Sequence, residues 1–392
     1  MLQYTVLPER LSYSRVFSVK PAGVNSLYGM LCKVPDPRSP QGLRHPLPVL
    51  LTLAVLSLCC GEVSYQSMEE WIVNYRKQLK EKVPFLTGHF IDASTFQRVF
   101  ARLDPLELEK VLSFWLQSVI PLSSDEPIAI DGKTLSGLSC HLLSAFTHYA
   151  KSVLFEIGTD TKGKEIPLAH DLLDNIPVKN HIITADALHT QRKFCERVTT
   201  LGGGYCLTAK GNQEQLEKDL RLFFKELPWQ AKTSTFTKNT RAKGKLTTHT
   251  ILVSRDLVEY LAWPGVTHVW QLTREVTHIN SNQTTTEVAV GIVRLLKEEN
   301  PAEQIIDLVR GHWSIENRLH RQRDVIFLED KSTIRKKNAP QVMAALKNLV
   351  LSIYHSFGVR YFPTAFRRFL ANPEELFTLL GLIDIQLNYA KN

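Results

Sequence analysis

The stretch Ile128-Ala129-Ile130-Asp131-Gly132-Lys133 decides the fold, because three apolar residues run straight into an acid and a glycine. A short apolar run that ends in turn residues predicts a buried strand, and Asp-Gly is itself a strong turn signal. The same pattern returns at Ile182-Ile183-Thr184-Ala185-Asp186-Ala187. Between the two, residues 142–146 and 153–157 predict strands and residues 168–173 a helix; beyond them, 191–199 predict a helix and 205–209 a strand. Three successive strands followed by alternating helix and strand predict an α/β class, a mixed sheet with helices packed on it. Asp131 and Asp186 then stand at carboxyl ends of sheet strands, where open α/β sheets build their sites.

Outward from this centre the pattern changes twice. Residues 211–300 combine one helix (216–227) with runs rich in Thr, Val and Tyr at 247–253, 266–273 and 287–295, which predicts a β-rich insertion. Helical periodicity returns after Pro301, through 302–310, 313–323 and 339–354. On the N-terminal side, residues 47–60, 65–82 and 94–120 predict helices, with Asp92 or Ser94 as a cap and Asp104-Pro105 dividing the last of them. The expected organisation is an arm over 1–33, a helical domain over 34–121, an α/β domain over 122–355 carrying the insertion, and a helical tail over 356–392.

Composition limits the functional classes. The 392 residues carry a net charge of +8 and 44% hydrophobic residues, which suits a globular protein with acidic partners such as nucleic acid. The six cysteines include no Cys-x-x-Cys and no zinc-like spacing, so they predict buried thiols in a reducing compartment. Residues 47–60 fall short of the ~20 apolar residues that span a bilayer. A cytoplasmic location with no membrane partner follows as an expectation.

Glu316, in His312-Trp313-Ser314-Ile315-Glu316-Asn317, is the third acid of interest. On a regular helix its face would carry Trp313, His320 and Arg323. Each acid taken alone has an ordinary structural role, as turn residue, helix cap or salt-bridged surface group. Together they form a hard-oxygen set suited to Mg²⁺, and phosphodiester chemistry uses two such ions about 4 Å apart. Basic clusters at residues 238–245, at Arg318, Arg321 and Arg323, and at 331–337 would flank such a site with a track for backbone phosphates. A glycosidase also uses paired carboxylates, but it has no need of this basic balance.

Four ordered motifs resemble the ISAs1-type insertion-sequence transposases, the group that includes the H-repeat-associated proteins. They are 128–135, Ala185-Asp186-Ala187-Leu188-His189-Thr190-Gln191, Ala209-Lys210-Gly211-Asn212-Gln213, and 311–320 followed by Arg323-Asp324-Val325. Asp36-Pro37-Arg38, Arg44-His45 and residues 95–100 resemble the helical domain associated with that family, so the likeness runs from about residue 34 to 382. It implies an RNase H-like DDE catalytic core with a β-rich insertion, preceded by an all-helical domain. It also implies two Mg²⁺ ions, for which Mn²⁺ would substitute, held by Asp131, Asp186 and Glu316. The partner it implies is double-stranded DNA, the element's terminal repeats and the target, with a homodimer at synapsis. Lys133, Lys210, Arg318, Arg321, Arg323, Arg335, Lys336 and Lys337 are the candidate phosphate contacts, and Asp324, Glu329 and Asp330 also occupy family-like positions. The chain departs from the family pattern at Ser136, where Arg is usual, and at Arg321, where Trp is usual. The competing expectation is a retired transposase that binds DNA without cutting it.

Overall fold

The computed structural model describes residues 26–41, 43–83, 91–135, 138, 140–161 and 163–380. Most of the expected arm, Ser136 and the last residues of the expected tail lie outside these. Six helices come first: α1 (Leu27–Leu31), α2 (Leu47–Cys59), α3 (Tyr65–Asn74), α4 (Arg76–Lys82), α5 (Ala93–Phe100) and α6 (Pro105–Val119). Helix α2 is apolar all round and almost wholly buried, the pattern of a central core helix. Asp92 caps α5 through the Ser94 N–H, and Asp104 caps α6 with Pro105 as its first residue.

The sheet follows with β1 (Ile128–Thr134), β2 (His141–Thr147), β3 (Val153–Thr159), α7 (Glu165–Leu173), β4 (Ile182–Ala185), α8 (Arg192–Thr200), β5 (Gly204–Ala209) and α9 (Glu214–Lys225). Next come β6 (Thr233–Ala242), β7 (Lys245–Ser254), α10 (Val258–Leu261), β8 (His268–His278) and β9 (Thr284–Arg294). The chain then forms α11 (Pro301–His312), a π-helical turn (Glu316–His320), α12 (Arg321–Val325), α13 (Ala339–Ser356), α14 (Phe362–Ala371) and α15 (Pro373–Leu379).

The nine strands among the described residues form one mixed sheet in the order β3-β2-β1-β4-β5-β9-β8-β7-β6. Strands β1, β4 and β5 run parallel, β2 pairs antiparallel with β1 and β3 antiparallel with β2, and β9 joins β5 antiparallel. The Thr-rich region is thus a meander that extends the sheet. Its first strand, β6, runs into the basic stretch 238–245, and Lys243 and Gly244, both at positive φ, make the turn to β7. Gly291 forms the joint with β5: a Cβ there would lie 2.2 Å from the Leu207 carbonyl oxygen and 2.3 Å from Trp270.

Strand alternation divides the core between the two faces. Ile128, Ile130, Ile183 and Ala185 pack with α7, α8 and α9 on one face. Ala129 faces the opposite way, into a core shared by α1 to α6 and α13 to α15, and Ile182 faces α11. The helical layer on that face is therefore built from both ends of the chain. No helix among the described residues is long and apolar enough to cross a membrane.

Candidate active site

Ile130 pairs with Ala185 across the parallel β1–β4 ladder, so the next residues, Asp131 and Asp186, stand side by side at the same level of the sheet. Adjacent strands lie about 4.8 Å apart. Period-two alternation puts both acids on the face that α11 and α13 cover, opposite Ile130 and Ala185. Each carboxylate is fixed through one oxygen. Asp131 Oδ1 accepts from the Gly132 N–H at 2.9 Å, and Asp186 Oδ1 accepts from the Leu188 N–H at 3.1 Å.

The third acid enters from above. Ile315 and Leu319 are fully buried and anchor the π-helical turn, while Glu316 between them stays exposed. Its carbonyl accepts from the Arg321 N–H five residues on, and such wide turns recur at functional sites. Burial first, and then the negative charges of Asp186, Glu316 and Glu165, push the Asp131 carboxyl up to about 7. The charges of the other two expected acids therefore both bear on Asp131. Glu165, in the first turn of α7, is a fourth carboxylate that sequence reading missed, since no local motif marks it.

The carboxylates are not drawn together as a ligand set. Among the described residues, no three His, Cys, Asp or Glu side chains stand close enough to hold one metal ion. The donor chemistry nevertheless fits a hard divalent cation, because hard oxygen donors whose charges repel are what Mg²⁺ relieves. The imidazole nearest Asp131 is His320, with Nε2 3.7 Å from Oδ2; burial pushes its pKa down to about 3, so it is neutral.

Behind each acid lies a buried polar network. On β4, Thr184 Oγ1 lies 3.0 Å from His148 Nε2 and 3.1 Å from His312 Nδ1. Burial lowers these imidazoles to about 3 and 4, so both are neutral. Gly311 allows this approach: a Cβ there would sit 2.3 Å from His148 Nδ1. On the β1 side, Arg323 Nη1 donates to Glu156 at 2.5 Å and Nε to Glu329 at 2.8 Å. Lys347 and Lys133 also reach Glu329, at 3.3 and 3.7 Å, and Lys133 pairs with Asp324.

This network corrects two of the expected phosphate contacts. Arg323 is 0% exposed, and the Lys133 side chain is 8% exposed and committed to carboxylates, so neither presents a free cation to a ligand. For Arg323 the reason is the π-helical turn, which adds a residue to the helix and rotates Arg323 away from the Glu316 face. Asp324 and Glu329 are the partners in this network. Lys210, Arg318, Arg321, Arg335, Lys336 and Lys337 are exposed. Lys210 follows β5 at the same sheet edge as Asp186. Lys238, in the remaining basic cluster, pairs with Asp307 of α11 at 2.8 Å.

Comparison with known proteins agrees with this arrangement of elements. The family described as Transposase DDE domain matches residues 90–353, and the one described as DDE_Tnp_1-associated matches residues 28–116. The chain is 27% identical to "Putative transposase YncI" of Escherichia coli O157:H7 over 347 residues, covering 84% of this chain and 87% of the relative. It is 26% identical to "H repeat-associated putative transposase YhhI" of Escherichia coli strain K12 over 333 residues, covering 82% and 88% respectively. The resemblance carried by the four motifs thus extends over most of both chains, and the protein belongs to the transposase DDE-domain family.

Proposed function

We propose that this chain is a metal-dependent DNA transposase with an RNase H-like catalytic core, which cleaves phosphodiesters at insertion-sequence ends and joins the freed 3′-hydroxyl to target DNA. The observation that carries the reading is the level placement of Asp131 and Asp186 on adjacent parallel strands, with the charge of Glu316 bearing on Asp131. That order of acids, first strand, fourth strand and a helical segment beyond an insertion, is the one the resemblance implies. Asp131, Asp186 and Glu316 would hold two Mg²⁺ ions, with Mn²⁺ able to replace them.

When bound, the ions supply charge compensation at the leaving oxygen and a nucleophile that is deprotonated near neutral pH. The chain's own contribution is positioning. The Gly132 and Leu188 N–H groups hold one oxygen of each aspartate and leave the other for a ligand. Exposed Lys210, Arg318 and Arg321 would set the register of the phosphate backbone without reading sequence. Residues 122–355 would form the catalytic domain, with the meander as its insertion, and two subunits would bring two DNA ends together.

The test incubates the full-length protein with element-end DNA and Mg²⁺ or Mn²⁺, and compares it with Asp131→Asn, Asp186→Asn and Glu316→Gln. Cleavage and joining are expected in the wild type and background levels in each variant, with melting curves confirming that the variants fold. Variants that cleave as well as the wild type would sink the catalytic assignment.

A further inference from the structure

Helix α5 forms a ridge between two open grooves. One, of about 600 Å³, is lined on its far wall by Arg335 and Lys336 and on the ridge by Gln97. The other, of about 640 Å³, is lined by Arg38, Arg44, Arg98 and Arg102. Both grooves reach Asp92 and Ser94 at the start of the ridge. Six of the seven Lys, Arg, Asp and Glu residues lining the pair are thus cations, and the seventh is Asp92. Arg38 is paired with Asp36 at 2.7 Å, while Arg98, Arg102, Arg335 and Lys336 are exposed along the two grooves.

The ridge is rigidly set. Phe96, Val99 and Phe100 are buried, with both Phe rings against Tyr65, so Ser94, Gln97 and Arg98 face outward. The Ala93 N–H donates to Glu69 Oε2 at 2.8 Å, fixing the start of the helix. Asn338 Nδ2 donates to the Leu103 carbonyl at 2.9 Å and ties the Arg335–Lys336 wall to the far end. An exposed helix flanked on both sides by basic grooves matches a duplex: the major groove, about 12 Å wide, admits an α-helix, and a phosphate backbone runs along each side.

Given the reading of this chain as one that acts on DNA, we propose that α5 is a DNA-reading helix. It enters the major groove with Gln97 and Arg98 at base edges. Arg335 and Lys336 hold one phosphate backbone, and Arg102 holds the other. Gln pairs in bidentate fashion with adenine and Arg with guanine, so these two side chains carry sequence information, while the flanking cations carry affinity. The basic wall is also close along the chain to the buried network behind Asp131. Six residues separate Arg335 from Glu329, which contacts Lys133 two residues beyond Asp131. An extended chain of that length spans at most about 22 Å, so the wall lies within about that distance of Glu329.

The experiment selects duplexes from a random-sequence pool with the full-length protein in EDTA, where binding is read without cleavage. Anisotropy titrations of the selected and a scrambled duplex over a salt series follow. Gln97→Ala and Arg98→Ala are each expected to cut the preference for the selected duplex about tenfold. The double variant Arg335→Ala/Lys336→Ala is expected to weaken both duplexes alike and to lower the salt slope by about two. All these residues are exposed, and melting curves verify the fold. Wild-type preference and salt slope in every variant would overturn the proposal, as would a wild type that binds duplex but selects no sequence. If element ends are cleaved through the three acids while the α5 variants bind normally, the helix assignment fails and the transposase reading stands. A wild type that binds no duplex at all overturns both.

Discussion

Asp131 and Asp186 leave neighbouring strands at the same level, yet they are backed by opposite kinds of chemistry. Two residues beyond Asp131, Lys133 enters a buried charged cluster with Arg323, Glu156, Glu329, Lys347 and Asp324. Two residues before Asp186, Thr184 holds two neutral imidazoles. A buried charge is tolerated only while its partners are all present, and breaking its pairing costs about 3–5 kcal/mol, whereas leaving one buried partner of a neutral hydrogen bond unpaired costs about 1–3 kcal/mol. The first aspartate thus rests on a support with large opposing terms, the second on one with small terms.

The largest expected effect follows from removing Arg323. In Arg323→Met, Glu156 and Glu329 lose their shared guanidinium while both stay buried, which should cost about 3–5 kcal/mol. Urea denaturation measures it. A loss smaller than that of any change on the Asp186 side would invert the comparison.

Next in size is Gly311→Ala. Its Cβ would fall 2.3 Å from His148 Nδ1, and that ring is held by Thr184, so the end of α11 must shift at a cost of about 1–3 kcal/mol. Glu316 lies five residues further along the chain, so cleavage should fall more than stability does. Melting curves run beside cleavage assays separate the two effects, and unchanged cleavage would show that α11 does not set the position of Glu316. Thr184→Val keeps the shape but takes the shared hydroxyl from both imidazoles, with an expected loss of about 1–2 kcal/mol in the same denaturation assay.

These supports were the part of the site least legible in sequence. Apolar runs ending in acids located β1 and β4, because a strand buried on both faces has no other composition. Asp104-Pro105 marked the start of α6 for a similarly local reason. Arg323, by contrast, looked like a groove cation because a regular helix carries i and i+7 on one face; only packing of Ile315 and Leu319 sets the π-helical turn that sends it inward. Thr184 looked like one more strand residue, since its partners His148 and His312 come from distant segments. Glu165 had no signature, and β6 was hidden by the basic character of its own sequence.

The subtlest expected effect separates the two supports by pH. His148 and His312 have folded values of about 3 and 4, below the ordinary histidine value of 6.5, so the unfolded chain takes up protons first. Stability from keeping them neutral is intact above 6.5 and is lost as the pH falls toward 4. Glu329, held near 2 by Arg323 and Lys347 against its burial, keeps its contribution until the pH falls below about 4.5. Glu109, which joins the charged cluster by accepting from the Glu156 N–H, works in the opposite sense. Burial first, and then the charge of Glu156, raise it to about 8, so its protonated form suits the fold and stability is lost as pH rises from 4.5 through 8. Between 4.5 and 6.5 the two supports therefore pull melting temperature in opposite directions. His148→Gln should make the acid-side fall shallower, and Glu109→Gln, which keeps the acceptor for the Glu156 N–H at 2.8 Å, should reduce the loss toward pH 8. If both variants reproduced the wild-type profile of melting temperature between pH 4.5 and 8, the neutral and charged supports would not differ in the way their burial implies.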